Sequence, residues 1–594
     1  QTPGALRAER IAARRAAPLL RIEPAFLGPN HDPEPPIGLL LDRSGVHFDA
    51  RAPSDLETLL ATHPLDDHVL LERARGAIAR MRSGQMTGSA AQDPALPAPD
   101  PGYVLVIDQP AGDASVMASG ADRTRFREML YWAQEENPGA RIVIHMHGET
   151  GPRSKGHFRK GDAGGRIALH MDPVSPWALL DGAVAVYTIS AQMGFQAILA
   201  GHRPRVFGTP FYAGWGLSDD ETPVMRRTRA LTRTQLFAAA MILYPTWYDP
   251  CRDRLCSLEE TLAHLESQAR AWREDRHGWV ATGVPGAKRA HLQKFFGAHH
   301  PVVFADTAAQ ARARADVPPD SGRTPPRIMA WASTATDTQA ARVEDGFLRP
   351  QGAGAPLSMI CDPMGFHDDA SRPSALEKLI ADAPLLRDDA LLRAERLAAR
   401  LVALETPSDA LPPGHRILVP GQPEDGGAQT MRNAELLERA RAENPGAVIL
   451  WHPHPDAPGG QPPGAIDALT VTAEMGALLG AVDELWTIDS PAGFQAMLRG
   501  LPVTTLGAPF YAGWGLTRDL GPVPARRLSG PRPTLAGLVH AALIDYPRYR
   551  DPVTGLPCPP EVIVDRLAAA RGPRGAGGGK LRTLLAALAK AARR

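Results

Sequence analysis

Four short stretches of this 594-residue chain set acids, histidines, glutamines and hydroxyls just behind apolar runs, and each stretch occurs twice. Gln109-Pro-Ala-Gly-Asp113 has its copy in Gln422-Pro-Glu-Asp-Gly426. His145-Met-His-Gly-Glu149 returns as His452-Pro-His-Pro-Asp456, and Ser190-Ala-Gln-Met-Gly-Phe195 as Asp489-Ser-Pro-Ala-Gly-Phe494. The best-copied stretch is Phe211-Tyr-Ala-Gly-Trp-Gly-Leu-Ser-Asp-Asp220, which reappears as Phe510-Tyr-Ala-Gly-Trp-Gly-Leu-Thr-Arg-Asp519. Each has a chemical role open to it. Ser190 or Ser490 at a helix start can cap it, either as a plain cap or beside free N–H groups that suit a phosphate. His147 and His454 can hydrogen-bond or protonate a phosphate oxygen, and each is followed two places later by an acid, Glu149 or Asp456. In the loop, Gly214, Gly216, Gly513 and Gly515 permit φ > 0, while Tyr212, Trp215, Tyr511 and Trp514 offer flat surfaces for a base or sugar. Arg226-Arg227 and Arg526-Arg527 follow; guanidinium suits carboxylate and phosphate, although arginine pairs are also common on plain surfaces.

These residues need a scaffold, and the chain supplies it twice. Beyond the four motifs, Phe26-Leu27 matches Phe347-Leu348, His47 matches His367, and Tyr244-Pro245 matches Tyr546-Pro547. This is a tandem duplication of a module of nearly 300 residues, not a short solenoid repeat. Within each module apolar runs alternate with helical patterns. Strands are expected at 103–107, 141–144, 184–187 and 205–207, with helices at 124–136 and 191–200. The second copy repeats them at 416–419, 448–450, 484–487 and 503–506, with helices at 433–443 and 493–499. The pattern predicts an α/β protein of two tandem modules, each of two parallel-sheet domains, in which ligands bind beyond the carboxyl ends of the strands. The expected domains are 1–287 (halves near 1–100 and 101–287), 288–570 (halves near 288–412 and 413–570), and a tail, 571–594.

Composition narrows the function. Lys plus Arg and Asp plus Glu both number 65, so no general nucleic-acid binder is expected. Four cysteines exclude a disulfide scaffold and suit a reducing, cytoplasmic compartment. No run of 18 apolar residues occurs. The chain begins with Gln1, and the first module lacks a counterpart of Arg327-Ile-Met-Ala-Trp-Ala332, which reads as a lost or trimmed start. Residues 580–594 carry five basic and no acidic side chains, with Leu581, Leu584, Leu585 and Leu588 on one helical face. Such a segment can lie on an anionic membrane surface, or form a solvated tail. No P-loop, G-x-G-x-x-G, G-x-S-x-G or H-E-x-x-H motif and no compact carboxylate cluster falls in the site, so neither a resident cofactor nor a metal is expected. Transfer from a phosphate-bearing donor is the chemistry left.

The set Glu344-Asp-Gly-Phe-Leu-Arg349, Gln-Pro with downstream acids, His454-Pro-Asp456, Gly-Phe-x-Ala and Phe-Tyr-Ala-Gly-Trp-Gly-Leu resembles the KpsC-type capsule β-Kdo transferases. The resemblance runs over both modules and its aromatic loop is highly specific. It implies two GT-B-like modules, each a retaining transferase of Kdo from CMP-Kdo, building a Kdo linker for capsular polysaccharide on a phosphatidylglycerol-type lipid. It also implies a protein peripheral to the inner membrane, with capsule-assembly proteins as partners. The implied mechanism is double displacement: an aspartate of Gln-x-x-x-Asp attacks the anomeric carbon, CMP leaves, and the acceptor hydroxyl displaces the carboxylate. That aspartate is Asp113, supported by His147, with Gln109, Glu149, Lys155 and Ser190 around the donor. In the second module Gly426 stands in its place, leaving Asp425 or Glu424 as nearest acids beside His454, Gln422, Asp456 and Ser490. Gln196 and Gln495 stand where the family pattern has a glutamate, which makes a ribose contact neutral. Another CMP-activated ulosonic acid, and a second module that only binds, are the alternatives.

Overall fold

In the computed structural model, the described residues are 3–28, 35–87, 92–146, 156–318, 324–332, 339–348, 356–404, 411–422, 428–454, 461–463 and 467–571. The chain divides into two compact units, Gln1–Glu274 and Asp275–Arg594. Each unit is a mixed α/β body built on two sheets, and each holds one all-parallel, six-stranded sheet.

In the first unit the parallel sheet is formed from β3 (Tyr103–Ile107), β4 (Arg141–His145), β5 (Ile167–His170), β6 (Ala183–Thr188), β7 (Arg205–Val206) and β8 (Asp219–Asp220). Their order is β5-β4-β3-β6-β7-β8. The chain winds outward in one direction from β3, then returns to β6 and winds the other way, so β3 and β6 flank the topological switch point. Tyr103-Val-Leu-Val-Ile107 is apolar at every position because both faces are covered. Val104 and Val106 pack with Phe126, Met129 and Phe158 on one face. Tyr103, Leu105 and Ile107 pack with Leu179, Leu180 and Met193 on the other.

The unit's other sheet is antiparallel: β1 (Arg21–Pro24), β2 (Gly38–Asp42), β9 (Pro245–Asp249) and β10 (Arg254–Cys256), in that order. A single core joins the two halves. It gathers Phe26, Leu27 and Leu40 from the antiparallel half, Phe195 and Ile198 from the helix after β6, and Phe211, Tyr212 and Trp215 from the repeated loop.

The second unit repeats this plan. Its parallel sheet, ordered β18-β17-β16-β19-β20-β21, comprises β16 (Arg416–Pro420), β17 (Val448–His452), β18 (Leu469–Thr470), β19 (Glu484–Thr487), β20 (Val503–Thr505) and β21 (Arg518–Asp519). The switch point lies between β16 and β19. Its other sheet is mixed, ordered β12-β11-β13-β14-β15-β22. There β11 (Trp279–Thr282), β12 (Val303–Ala305), β13 (Arg327–Trp331) and β14 (Ala341–Asp345) are parallel. The strands β14, β15 (Ser358–Asp362) and β22 (Arg548–Tyr549) are antiparallel and correspond to β1, β2 and β9. Two π-helical turns, Ala238–Leu243 and His540–Asp545, were not legible in the periodicity.

A buried ion pair closes the antiparallel hairpin of each unit. In the second, Arg566 Nε and Nη2 donate to Asp551 at 2.8 and 3.0 Å. In the first, the corresponding pair is His264 and Asp249, with Nε2 2.9 Å from Oδ1. Cys251 lies close by, and among the described residues these three bring ligand-type atoms within 4.8 Å of one another. The Arg566–Asp551 pair stands at the matching place in the second unit. Burial pulls the His264 pKa down, but Asp249 and Cys251 outweigh this and raise it to about 9. The folded-state value lies above the unfolded one, so this stabilisation is complete below about pH 6.5 and is lost as pH rises through 9. The first unit should therefore lose about 2–3 kcal/mol of stability between pH 6 and pH 10. His264→Arg should remove that slope in urea titrations run across the range.

Candidate active site

Three residues singled out in the sequence meet at the first switch point. Gln109 sits two places beyond β3 and Ser190 two places beyond β6, so adjacency of the strands brings them together. Ser190 N donates to Gln109 Oε1 at 3.0 Å, and Gln109 Nε2 lies 3.3 Å from Ser190 Oγ. The same Nε2 is 3.3 Å from Asp113 Oδ2 and 3.4 Å from Ser115 Oγ. Ser115 was missed in the sequence. Its backbone N and its Oγ both donate to Asp113 Oδ1 at 2.7 Å, and its Oγ is 2.9 Å from Ser190 Oγ. Asp113 is also the N-cap of the helix Ala114–Ala118. The carboxylate is thus fixed by the cap, by Ser115 and by Gln109, while remaining partly exposed.

A neighbouring acid braces this edge. Asp108, buried between β3 and Gln109, accepts N–H groups from Gln109 at 2.9 Å, His157 at 3.0 Å and Phe158 at 3.5 Å. The His157 ring stacks on Phe126 with centroids 4.0 Å apart, and burial lowers its pKa. A Cβ on Gly156 would lie 1.8 Å from Asp108 Oδ2, so glycine is needed there. His147, Glu149 and Lys155 lie outside the described residues.

Ser190 does not cap a helix. The helix Gln192–Ala200 has Ala191 as N-cap, with no side-chain cap bond, because the Ser190 hydroxyl is turned to Gln109 and Ser115. In the second unit Ser490 occupies the place of Ala191, not of Ser190. Tyr212 Oη donates to Ala191 O at 2.7 Å, and Tyr511 Oη to Ser490 O at 2.6 Å. The Ser490 hydroxyl accepts from Ala492 N at 3.2 Å, an ordinary turn contact. Asp489 is the counterpart of Ser190.

The rest of the second site is described in part. Gln422 follows β16 as Gln109 follows β3; its backbone is held by Asn433, and its Nε2 is buried with no hydrogen-bond partner among the described residues. His454 is half-buried, its backbone nitrogen 3.4 Å from where a Cβ on Gly421 would stand. Glu424, Asp425 and Asp456 lie outside the described residues. Gln196 is buried in its helix and Gln495 half-buried in the matching one.

The repeated aromatic loop has a different role from the one expected. Tyr212, Trp215 and Tyr511 are completely buried and Trp514 nearly so, so their faces are not open to a ring. Trp215 Nε1 donates to Phe211 O at 2.8 Å, and Trp514 Nε1 to Phe510 O at 2.9 Å. Phe211 stacks on Phe26 at 4.4 Å, with His47 edge-on to Phe26; Phe510 meets Phe347 at 5.1 Å in a tilted pair, with His367 edge-on to Phe347. Gly214 (φ +89) donates to Asp220 Oδ2 at 2.8 Å, and Gly513 (φ +90) to Asp519 Oδ2 at 2.9 Å. The glycines of Gly-Phe-Gln-Ala are steric necessities, since a Cβ at Gly194 would sit 2.2 Å from Tyr212 Oη.

The arginine pairs are likewise turned inward. Arg226 and Arg227 both bind the Glu57 carboxylate, and Arg227 Nη1 also donates to Pro210 O at 2.6 Å and Ala213 O at 2.9 Å. Arg526 and Arg527 hold Glu377 at 2.7 and 2.6 Å, with Arg527 reaching Pro509 O at 2.6 Å. Each acid is the N3 residue of a helix whose first turn is capped by Ser54 or Ser374. Loop, arginines and acid form a clamp between the halves of each unit.

Fold and site together define a tandem α/β protein whose first unit gathers Gln109, Asp113, Ser115 and Ser190 at its switch point. The chain belongs to the family of capsule polysaccharide biosynthesis proteins, which matches residues 67–246, 320–408 and 421–549. It is 32% identical to the capsule polysaccharide modification protein LipA of Neisseria meningitidis serogroup B, over 93% of this chain and 85% of that protein. Two solved structures from Thermosulfurimonas dismutans each match about half of it. The KpsC β-Kdo 2,4 transferase is 34% identical, covering 45% of this chain and 84% of its own, with a TM-score of 0.43. The KpsC β-Kdo 2,7 transferase is 29% identical, covering 49% of this chain and 99% of its own, with a TM-score of 0.42.

Proposed function

We propose that the protein is a glycosyltransferase of capsule biosynthesis that moves Kdo from CMP-Kdo to a phosphatidylglycerol or lysophosphatidylglycerol acceptor, extending a Kdo linker with retention of configuration. The observation that carries this reading is the Gln109–Asp113–Ser115–Ser190 cluster at the switch point. It holds a partly exposed carboxylate rigidly at the place where an α/β sheet receives its ligand. The names of the relatives support capsule and Kdo chemistry.

Asp113 attacks the anomeric carbon and CMP departs with the bonding pair; the acceptor hydroxyl then displaces the carboxylate, and two inversions give retention. Gln109 and Ser115 hold the nucleophile through hydrogen bonds to its two oxygens. No helix among the described residues is long and apolar enough to cross a membrane. Contact with the inner membrane is assigned to the basic segment 580–594, outside the described residues, and the working compartment to the cytoplasm. We assign the loop and arginines to the clamp between the halves rather than to the donor site, because their rings and guanidinium groups are taken up by internal contacts.

A second reading has specific support: Gly426 lacks the carboxylate that Asp113 supplies, which favours one catalytic unit and one binding unit. Incubation with CMP-Kdo and a Kdo-primed glycolipid, followed by mass spectrometry, tests the main reading. Absence of Kdo addition to that acceptor sinks it. CMP release with a different ulosonic acid, and none with Kdo, replaces the donor.

A further inference from the structure

The two switch points differ in a reciprocal way. In the first, position 113 carries the carboxylate and position 190 a hydroxyl. In the second, the place of Asp113 is Gly426 and the place of Ser190 is Asp489. The second equivalence is structural. Gly208 N donates to Ile189 O at 3.0 Å and Gly507 N to Ile488 O at 3.0 Å, immediately before the two residues. The tyrosine hydroxyl bonds to the following carbonyl complete the match.

Those two positions share one pocket. In the first unit the Ser190 hydroxyl is 2.9 Å from Ser115 Oγ, which is 2.7 Å from Asp113 Oδ1. One amide, Gln109 Nε2, lies 3.3 Å from both the Ser190 hydroxyl and the Asp113 carboxylate. A carboxylate grown from the Ser190 position therefore stands beside the one that Asp113 brings from the opposite wall. In the second unit the equivalent amide, Gln422 Nε2, is buried without a hydrogen-bond partner among the described residues. Asp489 is exposed at the edge of β19, and its charge is felt by Asp368, across in the other half of the same unit.

From this geometry we infer that Asp489 is the nucleophile of the second unit: the catalytic carboxylate has moved from the loop after β16 to the loop after β19. The inference rests on the transferase reading above. The Asp489 oxygen forms a bond to the anomeric carbon of the donor sugar as the bond from that carbon to the phosphate oxygen breaks, and the nucleoside monophosphate takes the electron pair. The acceptor hydroxyl oxygen then bonds to the same carbon, the ester bond to Asp489 breaks, and the hydroxyl proton passes to water.

The test uses the full chain carrying Asp113→Asn, so that remaining transfer belongs to the second unit. Residual transfer from CMP-Kdo is expected, and adding Asp489→Asn should lower it by about 10³-fold or more. Asp489→Ser should do the same, and Gly426→Asp added to Asp489→Ser, which recreates the arrangement of the first unit, should restore part of the rate. Melting curves that coincide across the variants exclude unfolding as the cause. The inference is overturned if Asp113→Asn alone leaves no transfer, if Asp489→Asn leaves the residual rate intact, or if Asp425→Asn alone removes it. A wild-type chain that transfers no Kdo overturns the transferase reading itself, which separates that failure from a wrong choice of residue.

Discussion

Asp113→Asn should cut Kdo transfer by the first unit by about 10³-fold or more while leaving its melting temperature nearly unchanged. The two readouts separate because the proposed mechanism gives the carboxylate two jobs. As N-cap of the helix Ala114–Ala118 it accepts the Ser115 N–H, and an asparagine carbonyl serves that purpose about as well. As nucleophile it must carry a negative charge, which the amide lacks. Ser115→Ala should be milder, on the order of tenfold in rate, because it removes one hydrogen bond that orients the carboxylate. Transfer should be followed as sugar added to a lipid acceptor and as CMP released. A rate indifferent to the amide rules out the covalent route through Asp113. A rate and a melting temperature that fall together reduce Asp113 to a helix cap.

The four inner strands of each parallel sheet were legible because their chemistry is local, while the edge strands β5, β8, β18 and β21 were not: Tyr103–Ile107 and Arg416–Pro420 are apolar at nearly every position, as strands covered on both faces must be. The site was legible in part for the same reason, since Gln109 and Ser190 lie just beyond such strands. Ser115 was not, because a serine two places after an aspartate reads as ordinary helix-start chemistry; only the adjacency of β3 and β6 turns its hydroxyl into a bridge between Asp113 and Ser190. The loop was misread for a deeper reason. Two glycines, a tyrosine and a tryptophan copied almost unchanged look alike whether they face a ligand or a core. What decides is Glu57, 170 residues before Arg227, and no local pattern announces that pairing. The antiparallel sheet escaped for a similar reason, since β2 and β9 are about two hundred residues apart in sequence yet hydrogen-bonded.

Glu57→Ala is the substitution with the largest expected cost in stability. The Glu57 and Arg227 side chains are 7% and 2% exposed, so removing the acid strands a guanidinium that has already been taken out of water. Burial lowers the Arg227 pKa, and Glu57 is the main group that opposes this. Breaking a buried pair from one side costs about 3–5 kcal/mol, enough to lower the melting temperature of a unit of this size by roughly 10 °C. Glu57→Gln should fall between, since it keeps one acceptor oxygen for the guanidinium groups but loses the other and the charge. Arg227→Lys should not substitute, because one ammonium cannot reach the Glu57 carboxylate, Pro210 O and Ala213 O together. Activity should fall with stability, because the clamp positions Tyr212, whose hydroxyl holds the Ala191 carbonyl directly beside Ser190. Glu377→Ala should repeat the effect in the second unit through Arg527. The opposite result, a higher KM for CMP-Kdo with an unchanged melting curve, would return these arginines to the donor site and make the loop a binding surface after all.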